Sequence, residues 1–287
     1  MNTDAVISIV VCSVNQVLFE SFEKNVSETI GCSYEMIRIE NNKNPRGICE
    51  IYNEGLTKAA GTIICYCHED ILFETQDWGN ELVTLLKVEE IGLIGVAGAV
   101  YKSKFPTSWV AVPSEYYRTN MKQMKADGTS FYSKILDEGS YSEVAVLDGC
   151  FVAGRKKVFL QHMWNQELLK GFHLYDLDIC LKVRENYKLV VANNISITHF
   201  SEGNFGLDWL KASEQYHQIN NGLLPVSVNK LSENEVNKLD YFGLYAFIDK
   251  LKQLRQPEIK KIKYIIKAIL LFPFKRQNFM LIKNAFN

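Results

Sequence analysis

A chain of 287 residues, 47% apolar and 23% charged, is long enough to bury a core without disulfide staples and too apolar to be disordered. Its net charge of −1 hides a division: residues 250–287 carry ten basic groups against the single acid Glu258, leaving 22 basic and 32 acidic groups in the first 249 residues. A body at −10 repels polyanions and argues against nucleic acid as a partner, while the +9 tail is the place to look for an anionic one.

In chain order, Ala5–Val14 is a β-branched run of strand length, and Leu18, Phe22 and Val26 then recur at helical spacing. Tyr34–Ile39 reads as a second strand. It ends in the polar cluster from Glu40 to Pro45, a turn sequence in any protein. Ile48, Ile51, Tyr52, Gly55, Leu56 and Ala59 follow the spacing of an amphipathic helix. Thr62–Cys67 is a third strand, Trp78, Leu82 and Leu85 mark a helix, and Gly92–Val100 reads as one more strand. From Tyr101 to Glu143 the periodicity fades, which predicts an irregular insertion or lid. Trp109, Tyr116 and Tyr117 within it suit either a sugar-stacking surface or core filling. Val144–Val152 is a short apolar unit, Asp176–Asn186 a helix, and Leu189–Ala192 and Ile195–His199 are strands. Strands alternating with helices predict an α/β fold, a Rossmann-like, mostly parallel sheet flanked by helices. After Asn220-Asn-Gly the chain turns helix-prone and basic, which divides it into residues 1–215 and a helical extension at 216–287.

The seven cysteines are odd in number and form no CxxC pair, so zinc ribbons and thioredoxin chemistry are disfavoured. They read as small buried hydrophobes in a reducing compartment. The opening Met1-Asn-Thr-Asp-Ala lacks the basic start of a signal peptide, and no apolar run reaches the roughly 18 residues that span a bilayer. A cytoplasmic placement is expected.

In an open parallel sheet, ligands bind beyond the carboxyl ends of the strands. Polar clusters stand there: Ser13-Val-Asn15, Glu40-Asn41-Asn42, His68-Glu69-Asp70, and the later Asp176 and His199. The third is the most telling, because three titratable groups beside a core strand are costly to bury unless a cation or ligand compensates them. Alternation along an extended strand would put His68 and Asp70 on one side as a two-point clasp. A solvated strand end with a helix-capping Asp is the plainer alternative.

This arrangement resembles the family-2-type glycosyltransferases with the GT-A fold, which carry D-x-D at that strand end to hold a divalent metal on the sugar nucleotide's diphosphate. Here His68-Glu69-Asp70 occupies the position, as in a bacterial subgroup with H-x-D. The family's later motif G-F-x-E-D-x-D-L-x-x-R is similar to the segment from Gly171-Phe172 through Tyr175-Asp176-Leu-Asp178 to Arg184, with Tyr175 in place of Glu. Asp148-Gly149-Cys-Phe-Val-Ala-Gly-Arg155-Lys-Lys-Val-Phe159 looks like the strand below the acceptor, and His199 matches a histidine many members use as a further metal ligand. The four motifs span roughly residues 5–205.

The resemblance implies Mn2+ or Mg2+ held by Asp70, His199 and His68, offsetting charge on the leaving diphosphate. Carboxylate plus imidazole suits Mn2+ somewhat better. It implies a nucleotide-sugar donor, UDP-linked, with Ser13, Asn15, Glu40, Asn42, Arg46, Glu69 and Asp148 near it. Asp176 would be the base that deprotonates a glycan or lipid-linked acceptor, and single displacement would invert the anomeric centre. Helix capping is the plainer role for Asp176 and Asp178. The substitutions at positions 68 and 175 keep two rivals open: a non-catalytic sugar-nucleotide or glycan-binding module, and a metal-dependent hydrolase. In the tail, Ile262, Ile265, Ile266, Ile269 and Leu270 are expected on one helical face and Lys260, Lys263 and Lys267 on another. Such a helix lies on an anionic membrane, or docks on protein, including a second copy of the chain in a homo-oligomer.

Overall fold

The apolar run that opens the chain forms β1 (Ile7–Ser13), in which every residue but Cys12 is buried, as the interior of a parallel sheet requires. The computed structural model describes residues 7–125, 127–201 and 203–286, the side chains of 284–286 excepted. Ala5 and Val6 of the expected strand therefore lie outside the described residues.

After β1 come α1 (Gln16–Thr29), β2 (Tyr34–Glu40), α2 (Ile48–Lys58), β3 (Ile63–Cys67), β4 (Ile71–Phe73) and α3 (Trp78–Leu85). Next are β5 (Ile91–Gly95), β6 (Ala97–Ala99), β7 (Tyr101–Lys102), β8 (Tyr117–Met124), β9 (Ser130–Ile135) and β10 (Tyr141–Val144). Then follow β11 (Val146–Leu147), β12 (Phe151–Arg155), α4 (Lys156–Gln161), α5 (Tyr175–Val183), β13 (Lys188–Ala192) and β14 (Ile197–His199). The chain continues through α6 (Leu207–Ile219), β15 (Val226–Ser227), α7 (Glu233–Gln253), α8 (Glu258–Leu271) and α9 (Gln277–Phe286).

Two compact units result. The first runs to Val100 and resumes over Tyr117–Gly203; the second takes Tyr101–Tyr116 and the chain from Asn204 onward. Helix α6 runs through residue 215 and belongs to the second unit.

In the first unit a seven-stranded sheet has the order β10-β13-β5-β12-β3-β1-β2. Strand β1 pairs parallel with β2 and β3, and β13 with β5, whereas β12 is antiparallel to both β3 and β5 and β10 to β13. Five of the seven strands thus share a direction, so the sheet is mostly parallel, and helices flank it. Their common carboxyl ends gather Ser13, Glu40 and the exit from Cys67.

A second sheet, β11-β6-β8-β14-β4 with β9 on β8, corrects two expectations. The strand foreseen over 92–100 divides at Val96, sending β5 into the first sheet and β6 into the second. The irregular insertion foreseen over 101–143 contains the β8–β9 hairpin, with Thr119 opposite Ile135 and Met124 opposite Ser130. Most β9 side chains are exposed, so no buried face imposes a period of two on the sequence.

The second unit is held by apolar and buried polar contacts of its own. Asp240 on α7 is fully buried and accepts from the hydroxyls of Tyr101 at 2.9 Å and Ser103 at 2.7 Å. A capping box between Ser232 and Glu235 starts α7, and Phe247 meets Tyr264 of α8 edge-on at 4.7 Å. The apolar face expected on α8 is split: Ile265 is buried with Tyr264 and Ala268, whereas Ile266 and Leu270 point outward. Among the described residues, no helix is long and apolar enough to cross a membrane.

Candidate functional site

Strand β3 is buried throughout and ends at Cys67, so His68, Glu69 and Asp70 emerge at the carboxyl edge of the sheet. They do not continue the strand: Glu69 and Asp70 form a turn between β3 and β4. Strand alternation is therefore not what brings His68 and Asp70 together. The Glu69 carboxylate folds back and accepts from the Val14 and Asn15 N–H groups at 3.0 and 2.9 Å, bracing the β1–α1 turn. His68 is anchored by its own N–H to the Cys150 carbonyl at 2.9 Å. On the other side, β14 pairs antiparallel with β4 so that His199 stands opposite Ile71, and the Phe200 N–H closes on the Asp70 carbonyl at 2.9 Å.

These pairings converge three ligand atoms from distant parts of the chain. His68 Nδ1 lies 3.7 Å and His199 Nε2 3.6 Å from the same atom, Asp70 Oδ1. All three atoms lie within 4.8 Å of one another. Asp70 Oδ1 and His199 Nε2 are buried without a hydrogen-bond partner among the described residues. Buried polar atoms so left are costly unless something else fills their valence. One carboxylate oxygen and two imidazole nitrogens, aimed at a common point, are a donor set fitted to a divalent first-row cation.

The second nitrogen of His68 is also fixed. Its Nε2 lies 2.7 Å from the hydroxyl of Tyr175, the first residue of α5, which is buried. A second bond of this kind sets ring orientation and leaves Nδ1 free to ligate. The tyrosine reaches His68 over a glycine: a Cβ at Gly149 would stand 2.3 Å from the Tyr175 hydroxyl oxygen and 2.6 Å from Cζ. Gly149→Ala should therefore displace the ring and lower unfolding free energy by about 1–3 kcal/mol. Denaturant unfolding measures this; an unchanged midpoint would show that the ring yields without cost.

The charges of the cluster are coupled. Burial lowers the His68 pKa, with the Asp70 charge opposing. Burial also disfavours the charged forms of Asp70 and His199, but their mutual attraction prevails, lowering the carboxylate's pKa and raising the histidine's. A cation must displace the proton from His199, so metal affinity should rise as pH rises through that elevated pKa and fall below it. Titrating Mn2+ across pH checks this, and an affinity flat with pH would remove His199 from the ligand set.

The remaining expected residues are distributed less simply. Ser13 is buried, and its hydroxyl accepts from Arg38 Nε at 3.1 Å. Asn15 caps α1, accepting from the Val17 and Leu18 N–H groups at 3.0 and 3.3 Å. Glu40 and Asn42 are exposed at the β2 end, Glu40 facing Arg38 at 3.9 Å. The intervening Asn41 holds the loop instead, donating to the Arg46 carbonyl and accepting from its N–H. Arg46 itself is paired with Glu50 at 3.1 Å and Glu54 at 2.7 Å. Asp148 accepts from the Cys150 N–H at 2.8 Å and acts electrostatically on both histidines of the cluster. Asp176, in the first turn of α5, accepts from the Leu177 N–H at 2.9 Å; Asp178 is buried and paired with Lys182 at 2.7 Å.

The sequence matches the glycosyltransferase like family over residues 8–219, a span that takes in the whole His68, Asp70 and His199 cluster. The chain belongs to this family. No curated protein matches the sequence. This chain is similar in structure to GalNAc-T7 solved with UDP, GalNAc and Mn2+, at 10% identity and a TM-score of 0.53, over 92% of this chain and 55% of that one. It therefore spans little more than half of that protein. The TarS 1–349 fragment of S. aureus, solved with UDP, is similar at 10% identity and a TM-score of 0.52, over 85% of this chain and 72% of that one. At such identities the likeness establishes the GT-A fold alone, which bears out the resemblance carried by the four sequence motifs.

Proposed function

We propose that this glycosyltransferase moves a sugar from a UDP-sugar to a glycan or lipid-linked acceptor by a single, inverting displacement. The observation that carries the reading is the convergence of His68, Asp70 and His199, two of their atoms buried without partners, at the carboxyl edge of the parallel strands. When bound there, Mn2+ or Mg2+ supplies Lewis-acid relief of the charge that develops on the departing diphosphate. Asp70 contributes the anionic ligand, and Tyr175 keeps His68 turned toward it. Ser13, Asn15, Glu40 and Asn42 stand at the ends of β1 and β2, where the nucleoside lies across the sheet, and Glu69 and Asp148 shape its floor. Arg46 approaches the diphosphate only by exchanging Glu50 and Glu54 for phosphate oxygens. Asp176 takes the proton of the attacking hydroxyl. In this reading residues 1–215 do the chemistry, and 216–287 place the enzyme at the cytoplasmic face of a membrane.

Calorimetry of UDP binding with and without Mn2+ tests the proposal. Metal-enhanced binding is expected, followed by donor turnover only when an acceptor is present. Binding without turnover on any acceptor would make the chain a sugar-nucleotide-binding module, and acceptor-independent release of free sugar would make it a hydrolase. UDP binding indifferent to the metal would defeat the transferase reading.

A further inference from the structure

The second unit carries a cavity of about 790 Å³ whose lining joins the loop after β7 to helices α6 and α8. Three lysines stand at it: Lys104, Lys263 and Lys267. Two rings hold them. Phe105 takes the Lys104 and Lys267 ammonium groups at 5.6 and 5.7 Å, and Tyr264 takes Lys267 and Lys263 at 5.2 and 5.8 Å. Both rings are buried, and cation–π attraction to them gathers the three ammonium groups at the cavity. Glu214 also lines the cavity, but it is engaged by Lys260 at 2.5 Å. Lys104 has Asp240 at 3.2 Å, whereas neither Lys263 nor Lys267 forms an ion pair among the described residues. Burial, together with the nearby Lys263 and Lys104, depresses the pKa of Lys267. An anion seated among the three would relieve that repulsion.

The same helix presents an apolar stripe beside these lysines. Ile259, Ile266 and Leu270, seven and four residues apart, share one face of α8 and are 76%, 51% and 74% exposed. Phe274 just beyond the helix is fully exposed at 100%, and Phe279 of α9 at 76%. Leu270 belongs both to the stripe and to the cavity lining, so apolar and cationic surfaces meet at one place. Lysines around exposed aliphatic and aromatic side chains are the composition of a helix seated in a bilayer interface.

We infer that this cavity receives the phosphate headgroup of an anionic phospholipid at Lys104, Lys263 and Lys267, while Ile259, Ile266, Leu270 and Phe274 enter the acyl boundary. The +9 charge of residues 250–287 complements such a surface and would not favour a second copy of the same tail. The inference deepens the membrane placement proposed above, but it depends on none of the donor-site residues.

The test is co-sedimentation of the full chain with phosphatidylcholine vesicles, with and without phosphatidylglycerol. Binding is expected only with phosphatidylglycerol. Each lysine at an anionic surface contributes about fivefold, so Lys263→Glu with Lys267→Glu should weaken binding by ~25-fold or more. Leu270→Asp should also release the protein. A control pair on exposed lysines of the first unit, Lys24→Glu with Lys87→Glu, makes the same change of net charge and should leave binding near wild type. Equal losses in the two pairs would reduce the effect to bulk charge and overturn the site. So would vesicle binding unaffected by Lys263→Glu with Lys267→Glu, or inorganic phosphate that binds those lysines in a protein that never sediments with vesicles. A dimer in solution that Leu270→Asp dissolves would assign the face to a second copy instead. UDP binding measured on each variant should stay at the wild-type value, which separates failure of this site from failure of the transferase reading.

Discussion

Asp70→Asn should abolish the metal enhancement of UDP binding and lower turnover by about 1000-fold or more, the several kcal/mol that a Lewis acid supplies to a departing phosphate. Three features make this position more sensitive than its neighbours. Asp70 is the only anion of the three, since His68 and His199 would ligate a metal as neutral rings. It also sits between the histidines, because both of their nitrogens lie 3.6–3.7 Å from its Oδ1. Finally, Asn preserves its shape, so the backbone bond between the Phe200 N–H and the carbonyl of residue 70 persists and the fold should survive. The metal-free protein gives a second readout. The folded Asp70 pKa is lowered, so the carboxylate stabilises the fold at pH values above its unfolded pKa and that contribution fades as pH falls through the folded one. Asp70→Asn should remove this acid-side loss from a pH series of unfolding midpoints. Metal-enhanced UDP binding within threefold of wild type would place the cation elsewhere.

The site's history in the sequence is uneven, and the reasons are physical. His68, Asp70 and His199 could be found because polar residues at the ends of fully buried strands are conspicuous. The approach of His68 and Asp70, expected from alternation along one strand, comes instead from a turn, and His199, which the family resemblance implied, is brought beside them by the β4–β14 pairing. The least legible contact is the most informative. Positions 68 and 175 are where the chain departs from the family's acidic motifs, and from sequence each reads as a separate loss. The structure joins them at 2.7 Å, so the tyrosine that replaces an acid orients the histidine that replaces another. Nothing in a spacing of 107 residues reports such a bond; only the glycine at 149, whose lack of a Cβ clears the ring's path, hints at it. The residues expected near the nucleotide have other partners in the structure. Asn15 and Glu69 stand just beyond strand ends and Arg46 in the loop before α2, and their side chains are spent on a helix cap, a turn and a pair of glutamates. Of the fold, strands buried on both faces were readable from their apolar runs, while β8 and β9 were not: β9 is mostly exposed, and β8 buries the consecutive Thr119, Asn120 and Met121, so neither shows an alternating apolar pattern.

Asp176→Asn should lower kcat by about 100- to 10,000-fold, the range that a positioned base contributes, while UDP affinity and its metal enhancement stay at wild type. The α5 start explains why both parts of that result are expected. Tyr175 ties the first turn of α5 to His68, and Asp176 is the next residue of that turn, outside the group of His68, Asp70 and His199 that could hold a metal. The Asp176 Oδ1 accepts from the Leu177 N–H at 2.9 Å, a bond that an asparagine carbonyl oxygen repeats, so the helix start is retained. What the amide cannot do is accept the proton of an attacking hydroxyl. Asp178 supplies the contrast two residues on. Its carboxylate is buried and bound to Lys182 at 2.7 Å, a pairing along α5 that gives it a role in holding the helix. Asp178→Asn should therefore lower the unfolding midpoint and leave kcat near wild type, the reverse of the Asp176 pattern. Equal effects of the two substitutions on kcat would mean that both act through the helix. Wild-type turnover in Asp176→Asn would move the base to another residue of the carboxyl edge, with Asp148, already within electrostatic reach of both histidines, the next to substitute.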